Sequence, residues 1–348
     1  MQIPKIAQWL VRGFLLLIVV GLGSNYLIRF YLTSSLKPQS GPHEAPEQKP
    51  TNDATFRAAL EAGNQTIRDG QYADALDHFL EAERSEPFLT DTQYDALKAA
   101  RLHLAQIYES ASERSATDSV YRALSACAVR QSWARYDRKE YDKAAIRAQD
   151  AEELANHLTE GKRDALQDAM YLEVSSLTLL THYAEAIEAQ QRLIDFLNTA
   201  ADDSDPYFAQ AYMTMADLKA RAQDWRGFEF ALHETIDACD RANSRQQWSG
   251  LPIVKNWSEY NLVIAYYREG QLDTAFSKAD DFYREYSNTT PDTLHPINVS
   301  YHAKDFASLA VEIAREANMP EEEQRWKERG GFGLGSVNVI SRLHPDPQ

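Results

Sequence analysis

Side chains that commonly perform catalysis or bind metals occur in this chain without the spacing that such sites need. Nine histidines are scattered over 348 residues. The sequence has no His-Glu-x-x-His helix, no Cys-x-x-Cys pair, no Gly-x-Ser-x-Gly elbow and no Gly-x-x-x-x-Gly-Lys loop. Several histidines fall within helical patterns, where an ordinary surface or half-buried side chain is the favoured interpretation: His78, His103, His157, His182 and His233. We therefore predict a protein that is not an enzyme and that has neither a cofactor nor a metal site.

The net charge and the two cysteines restrict the partners further. With 36 Lys and Arg against 52 Asp and Glu, the formal net charge is -16, which opposes binding to nucleic acid or to anionic lipid. Cys127 and Cys239 lie in separate helical segments, so we expect buried free thiols, with a disulfide as the alternative. The glycines from Gly330 to Gly335 follow a charged helix and open no helix, which favours a flexible tail over a dinucleotide-binding loop.

The elements that would position any site are helices. From residue 51 to residue 329, Ala, Leu, Glu, Arg and Gln dominate, and apolar residues recur three and four positions apart. Runs that alternate polar and apolar residues, as strands do, are absent from this region. The sequence therefore predicts an all-α domain.

A helix-turn-helix unit recurs in this domain, and its clearest copy runs from Phe56 to Leu89. Small and aromatic residues hold fixed positions in this copy, and a proline ends it: Gly63, Gly70, Tyr72, Ala75, Phe79, Ala82 and Pro87. Such small residues allow two antiparallel helices to approach closely, and the aromatic residues fill the space between hairpins. In these positions the chain resembles the tetratricopeptide repeat family.

Later copies repeat the residue spacing of the first copy but match it at fewer positions. Their second helices are predicted to start at Tyr141, Tyr183, Trp225 and Leu272. These starts are 42, 42 and 47 residues apart (183 minus 141, 225 minus 183, 272 minus 225), against about 34 in the family. Between residues 72 and 141 there is room for two more long helices, near residues 92–112 and 117–138, and the sequence leaves their pairing open.

The resemblance implies a right-handed α-solenoid of about six stacked hairpins over residues 54–329, with a concave groove. Residues 298–317 and 321–329 would form its terminal cap. In the family, the first helix of each hairpin lines the groove and binds a protein partner or an extended peptide. Carried over position by position, the resemblance implies these groove residues: Arg57, Asn64, Arg68, Arg130, Trp133, Tyr136, Tyr171, Ser175, Met213, Asp217, Arg221, Trp257, Tyr260, Asn261, Tyr267 and Arg268.

Asn64 matches an asparagine with which chaperone-binding members of the family clamp a C-terminal carboxylate. Leu60 stands where those members have the accompanying lysine, so we do not carry this activity over. The groove set is nevertheless rich in aromatic residues and arginine, which are common anchors of protein interfaces.

An apolar segment precedes the helical domain. From Gly13 to Ile28 no residue is charged, and Arg12 and Arg29 can snorkel outward, so the run approaches the roughly 20 residues that span a bilayer. We predict a single transmembrane anchor over residues 1–32, with a signal peptide cleaved near residue 23 as the alternative. A proline-rich linker over residues 33–53 and a tail over residues 330–348 complete the predicted organisation.

Together these features predict a membrane-tethered, non-enzymatic scaffold for a protein partner. Basic residues are slightly more frequent before the apolar run than after it, which favours a cytoplasmic N-terminus. The main hypothesis is a single-pass protein of a bacterial inner membrane, with its helical domain in the periplasm, that assembles or organises an envelope or membrane complex. The alternative is an organelle-membrane receptor with a cytosolic repeat domain, similar in layout to import receptors. An enzyme or small-ligand binder that uses the groove is the remaining possibility.

Overall fold

A computed structural model describes residues 53–86, 88–159, 161–200, 205–243, 250–287 and 301–331. These ranges contain 13 α-helices and no strand, which confirms the predicted all-α domain. The helices are α1 (Asp53–Arg68), α2 (Tyr72–Ser85), α3 (Asp91–Ser110), α4 (Arg114–Asp137), α5 (Tyr141–Ala155), α6 (Lys162–Leu179), α7 (Tyr183–Ala200), α8 (Tyr207–Arg221), α9 (Trp225–Asn243), α10 (Leu251–Arg268), α11 (Leu272–Ser287), α12 (Ala303–Glu316) and α13 (Pro320–Gly330).

Several predictions fall on residues that the structure does not describe. The predicted anchor, the linker up to residue 52, the helix-ending Pro87, the first residues of the predicted cap helix at 298–300 and the tail beyond residue 331 all lie outside the described residues. Among the helices that are described, none combines the length and the apolar character needed to cross a membrane.

The helices follow the phase of the repeat. The four second helices predicted for the later copies begin at the expected residues, Tyr141, Tyr183, Trp225 and Leu272, and the second helix of the first copy begins at Tyr72. The two long helices expected between the first and second copies are α3 and α4, and the predicted cap is the hairpin of α12 and α13. Six hairpins result, α1/α2, α4/α5, α6/α7, α8/α9, α10/α11 and α12/α13, whose members we call first and second helices.

One type of turn joins these helices. Two residues after the first helix ends, the chain adopts a positive φ, and the second helix begins two residues later, as at Gly70 (φ 76°). In this turn the Gly70 amide donates to the Ile67 carbonyl (3.1 Å) and the Gln71 amide donates to the Thr66 carbonyl (2.8 Å). These are the two hydrogen bonds of a Schellman motif, which satisfies carbonyls at the helix end. The same position is left-handed at Ser112, Lys139, Thr181, Gln223, Gly270 and Asn318.

Small residues allow the helices of a hairpin to approach closely, as the sequence indicates. In the first hairpin, a Cβ atom added to Gly63 would overlap the ring of Phe79. Ala75 and Ala82 have no exposed surface. Because a larger side chain at any of these positions would force the helices apart, the close contact between α1 and α2 depends on them.

Helix α3 lies outside the hairpin pairing, and ion pairs connect it to its neighbours. Arg101 of α3 is fully buried. Its guanidinium donates to the Phe79 carbonyl (3.0 Å) and to the Glu83 carboxylate (2.9 Å) of α2. On the α5 side, the guanidinium of Arg147 lies 4.0 Å above the ring of Tyr94 and donates to Asp91 (2.8 Å). Polar contacts over long sequence separations thus fix α3, which is joined to α4 by the same turn that joins the hairpins.

The cysteines and the terminal hairpin complete the core. Cys127 and Cys239 are buried and unpaired, as predicted, and burial raises the pKa of each thiol to about 12. The charged helix α13 is held down by Trp326, which is fully buried and contacts the ring of Tyr283 edge-on at 6.1 Å. The cap therefore has a polar outer face and an aromatic anchor beneath it.

Candidate partner-binding surface

The exposed side of the first helices is the surface on which the predicted groove residues fall. First helices of neighbouring hairpins pack side by side, α4 against α6 and α8 against α10. On α6, five accessible positions are spaced three and four residues apart and define one continuous stripe along the helix. This stripe consists of Asp164, Asp168, Tyr171, Ser175 and Thr178.

Four aromatic side chains meet on this surface, and we call them the aromatic cluster: Trp133, Tyr136, Tyr141 and Tyr171. The ring of Trp133 contacts Tyr136 at 5.8 Å and Tyr171 at 6.4 Å between centroids, and Tyr136 contacts Tyr141 at 5.4 Å. All four side chains are half-buried. The cluster therefore joins α4, the start of α5 and α6, and it leaves apolar ring surface accessible to a partner.

Next to the cluster, Asp168 lies in an unusual environment. Its side chain is exposed to solvent, yet desolvation by the surrounding protein, and secondarily the charge of Asp164, raises the pKa of its carboxyl. Within the described part of the chain, Asp168 makes no hydrogen bond or ion pair.

Arg130, another predicted groove residue, contacts the protein itself. Its guanidinium donates to the carboxylate of Glu83, which also receives a hydrogen bond from Arg101. Burial alone would raise the pKa of Glu83, but the two guanidinium groups outweigh burial and lower it. Arg130 thus neutralises a buried carboxylate, and its removal would disturb the fold as well as any interface.

The remaining predicted residues of α1 and α8 are accessible, and most of the charged ones have local partners. Arg57 pairs with Asp53 (2.6 Å), and Arg68 pairs with Glu61. Arg221 donates to Asp217 (2.7 Å) on the same helix. Asn64 on α1, Met213 on α8 and Ser175 on α6 are half-buried.

The predictions on α10 divide into buried and accessible residues. Tyr260 is 2% exposed and Asn261 is 4% exposed, so the prediction that these two side chains line a surface is corrected. Tyr260 stacks on Tyr301 with the ring centroids 3.7 Å apart, and the Asn261 amide donates to the Trp257 carbonyl (2.8 Å). Tyr260 therefore belongs to the contact between α10 and the segment that enters α12, whereas the hydrogen bond of Asn261 stays within α10.

Two predicted residues at the end of α10 do come together. The Tyr267 hydroxyl donates to Glu316 of α12 (2.5 Å), and the guanidinium of Arg268 lies 5.7 Å from the centroid of Trp225. Trp257, ten residues before Tyr267 on α10, is half-buried. This group forms a second accessible aromatic area, in which Glu316 accepts from the Tyr267 hydroxyl and the guanidinium of Arg268 lies over the rings of Trp225 and Tyr267.

A hollow of about 460 Å³ lies apart from the predicted residues, between α9 and the turn from α10 to α11. Phe230, with 63% of its surface exposed, forms part of its wall. Glu229 and Glu269 also line it. Burial, and then hydrogen bonding and repulsion from Glu269, raise the pKa of Glu229.

Sequence reasoning missed three residues of the candidate surface: Tyr141, Asp164 and Asp168. The sequence predicts Tyr141 only as the start of a second helix, and it does begin α5. The two aspartates could have been found from their spacing, because they lie three and seven residues before Tyr171 and so share its helix face.

Comparisons with known proteins find only solved structures of low sequence identity and low structural similarity. No protein-family model and no curated protein matches the sequence. Among solved structures, BtubC from P. vanneervenii is 13% identical, with 72% of this chain and 97% of that chain covered and a TM-score of 0.46. A tetratricopeptide repeat protein from Parabacteroides merdae is also 13% identical, with 83% and 97% covered and a TM-score of 0.30. A Rap protein complexed with Competence and Sporulation Factor is 13% identical, with 97% and 98% covered and a TM-score of 0.35.

These likenesses are too distant to bear on function. The identification of a tetratricopeptide-type repeat is confirmed by the chain's own hairpins, by its repeated turn and by the small residues at the close contacts.

Proposed function

We propose that this tetratricopeptide-type repeat is a non-enzymatic scaffold that binds an extended segment of a protein partner over the aromatic cluster. The observation that carries the proposal is the contact of Trp133, Tyr136 and Tyr171 across two neighbouring first helices, with their rings still accessible. We propose that the binding surface also includes Met213 on α8 and Trp257 on α10, both half-buried. The proposal includes the right-handed solenoid and concave groove that the family resemblance implies.

The physical properties of the cluster suit a binding surface. Trp and Tyr provide large contact area and lose little conformational freedom, because each side chain has only two rotatable bonds. Here ring contacts hold them in place before any partner arrives. A preorganised surface has less freedom to lose on binding, so more of the contact energy appears as affinity.

We also propose that the scaffold is held at a membrane. The uncharged run from Gly13 to Ile28 supports a bilayer anchor, and the prolines from Pro38 to Pro50 support a semi-extended tether between anchor and repeat. The slight excess of basic residues before the run favours a bacterial inner-membrane protein with its repeat in the periplasm. Its role there would be to assemble or organise an envelope or membrane complex.

The experiment is a pull-down from solubilised membranes that compares wild type with two matched double variants. Trp133→Ala with Tyr171→Ala removes the centre of the cluster. Asp77→Ala with Glu81→Ala changes exposed positions on α2, outside the cluster. We expect the partner to be lost with the first pair, since hot-spot truncations cost roughly 1 to 4 kcal/mol each, and retained with the second pair.

Circular dichroism and thermal unfolding of all three proteins separate loss of binding from loss of fold. Partner loss in the α2 variant alone, with all proteins folded, would contradict the proposal. Protease accessibility tests the orientation. In cells whose outer membrane has been opened and whose inner membrane is sealed, added protease cuts a periplasmic repeat and leaves a cytoplasmic one intact.

A further inference from the structure

Two carboxylates beside the aromatic cluster have no cationic partner within the described residues. Asp164 and Asp168 lie one helical turn apart on the exposed stripe of α6. Like charges at this spacing destabilise a helix by roughly 0.2 to 0.5 kcal/mol. Desolvation of Asp168 adds to the unfavourable energy of its charge, as its raised pKa reflects. A positive charge brought by a ligand would offset both effects.

Two other acidic residues, one on a first helix and one in a hairpin turn, are paired with arginine. Asp217 on α8 receives a hydrogen bond from Arg221 (2.7 Å). Glu140, at the turn between α4 and α5, receives one from Arg135 (2.6 Å). Against this pattern, Asp168 stands out as a desolvated carboxylate that the fold does not pair.

The distances suit a long cationic side chain. Tyr171 follows Asp168 by three residues, so about one turn of helix, or roughly 5 Å, separates them along the axis. The ring of Tyr171 contacts that of Trp133. Lysine and arginine have apolar stems that pack on aromatic rings and charged heads that reach a carboxylate, and aromatic faces attract the cation directly.

We infer that the partner segment carries a lysine or arginine whose cation is held by Asp168, while its stem packs on Tyr171 and Trp133. The inference rests on the proposed function, since it names the chemistry that the same surface recognises. Charge complementarity favours this occupant over an acidic segment, because the chain has a net charge of -16 and the nearby Arg130 is engaged by Glu83.

The test uses the full-length protein in detergent, immobilised and screened against a displayed library of random peptides. Peptides of about twelve residues reach roughly 40 Å when extended, enough to cross several first helices. Selected peptides are then measured against wild type, Asp168→Asn, Trp133→Ala and, as the matched control, Asp77→Asn. Asp168→Asn keeps the size of an exposed side chain, so the fold should be unaffected, and circular dichroism verifies this.

We expect the selected peptides to share one basic position. Asp168→Asn should weaken their binding roughly tenfold, the equivalent of about 1.4 kcal/mol, and Asp77→Asn should leave it unchanged. Replacing the basic residue by Glu should abolish binding to wild type, and Asp168→Lys should restore binding of that Glu peptide.

The outcomes separate the inference from the function on which it rests. Peptides that lose binding with Trp133→Ala but show no basic preference and tolerate Asp168→Asn would overturn the inference and leave the proposed function standing. A library that yields no peptide dependent on Trp133 would overturn both.

Discussion

The turn between α6 and α7 offers a sharp test of the repeated geometry. Thr181 occupies its left-handed position at φ 60°, although β-branched residues are poorly suited to that conformation. At the equivalent position, the first and fifth hairpins have Gly70 and Gly270. We therefore expect Thr181→Gly to stabilise the protein.

The magnitude follows from two opposing terms. Removing the clash between Cβ and the carbonyl of the left-handed conformation relieves roughly 1 to 2 kcal/mol. The greater conformational freedom of glycine in the unfolded chain destabilises the folded protein by about 0.4 to 1 kcal/mol. The amide of Thr181 still donates to the Thr178 carbonyl (3.0 Å) in either variant, so the net stabilisation should be about 1 kcal/mol.

Gly270→Ala is the matched control, with the opposite expected sign. Its φ is 76°, and an added Cβ would meet no atom within 4 Å, so only backbone strain should appear, destabilising by about 1 kcal/mol. Urea unfolding of a chain that lacks residues 1–35 gives the global change. Because stacked hairpins can unfold in parts, hydrogen exchange of the α6 and α7 amides measures the change in local stability. A loss of stability in Thr181→Gly, with Gly270→Ala unchanged, would refute the reasoning.

Further predictions concern the core, the pH dependence and the anchor. Gly63→Ala should lower the melting temperature by overpacking against Phe79, at about 1 to 3 kcal/mol, and adding Phe79→Leu should recover part of the loss; an unchanged melt would contradict the repeat packing. Burial raises the pKa of Glu259 to about 7 from 4.5, so its contribution to stability is complete below pH 4.5 and is lost as pH rises toward 7. Urea titrations between pH 4.5 and 7 should show that the free energy of unfolding of the wild type falls on the order of 3 kcal/mol through this group and that Glu259→Gln lacks this fall. An equal fall in the variant would show that Glu259 is not its source. Deleting residues 1–35 should give a soluble helical protein, and carbonate-resistant membrane association of that product would reveal a second attachment.

The helix starts were predictable because the repeat places strict demands on a few positions. Tyr72, Tyr141 and Tyr183 each begin a second helix where the sequence spacing indicates. At such positions only certain residue sizes fit between closely packed helices, so the requirement is visible in the local sequence.

The packing partners of α3 were not predictable, because its contacts leave no repeated pattern in the local sequence. Its position depends on Arg101 contacting Glu83 and on Arg147 contacting Asp91, across 18 and 56 residues. Such contacts have no periodic signature along the chain. The burial of Tyr260 was not predictable either, because it depends on stacking with Tyr301, 41 residues later in the sequence (301 minus 260).

The candidate surface was partly predictable. Trp133, Tyr136 and Tyr171 follow from transferring the family's first-helix positions, and the structure brings their rings together. The desolvation of Asp168 could not be foreseen, because it depends on how closely neighbouring hairpins surround α6.

Site-specific crosslinking tests the central claim most directly. A photo-reactive phenylalanine replaces Tyr171 in one full-length protein and Asp77 in another, and both are irradiated in native membranes. If the partner binds over the aromatic cluster, position 171 yields a protein adduct that Trp133→Ala abolishes, and position 77 yields none. An adduct from position 77 with none from position 171 would contradict the account.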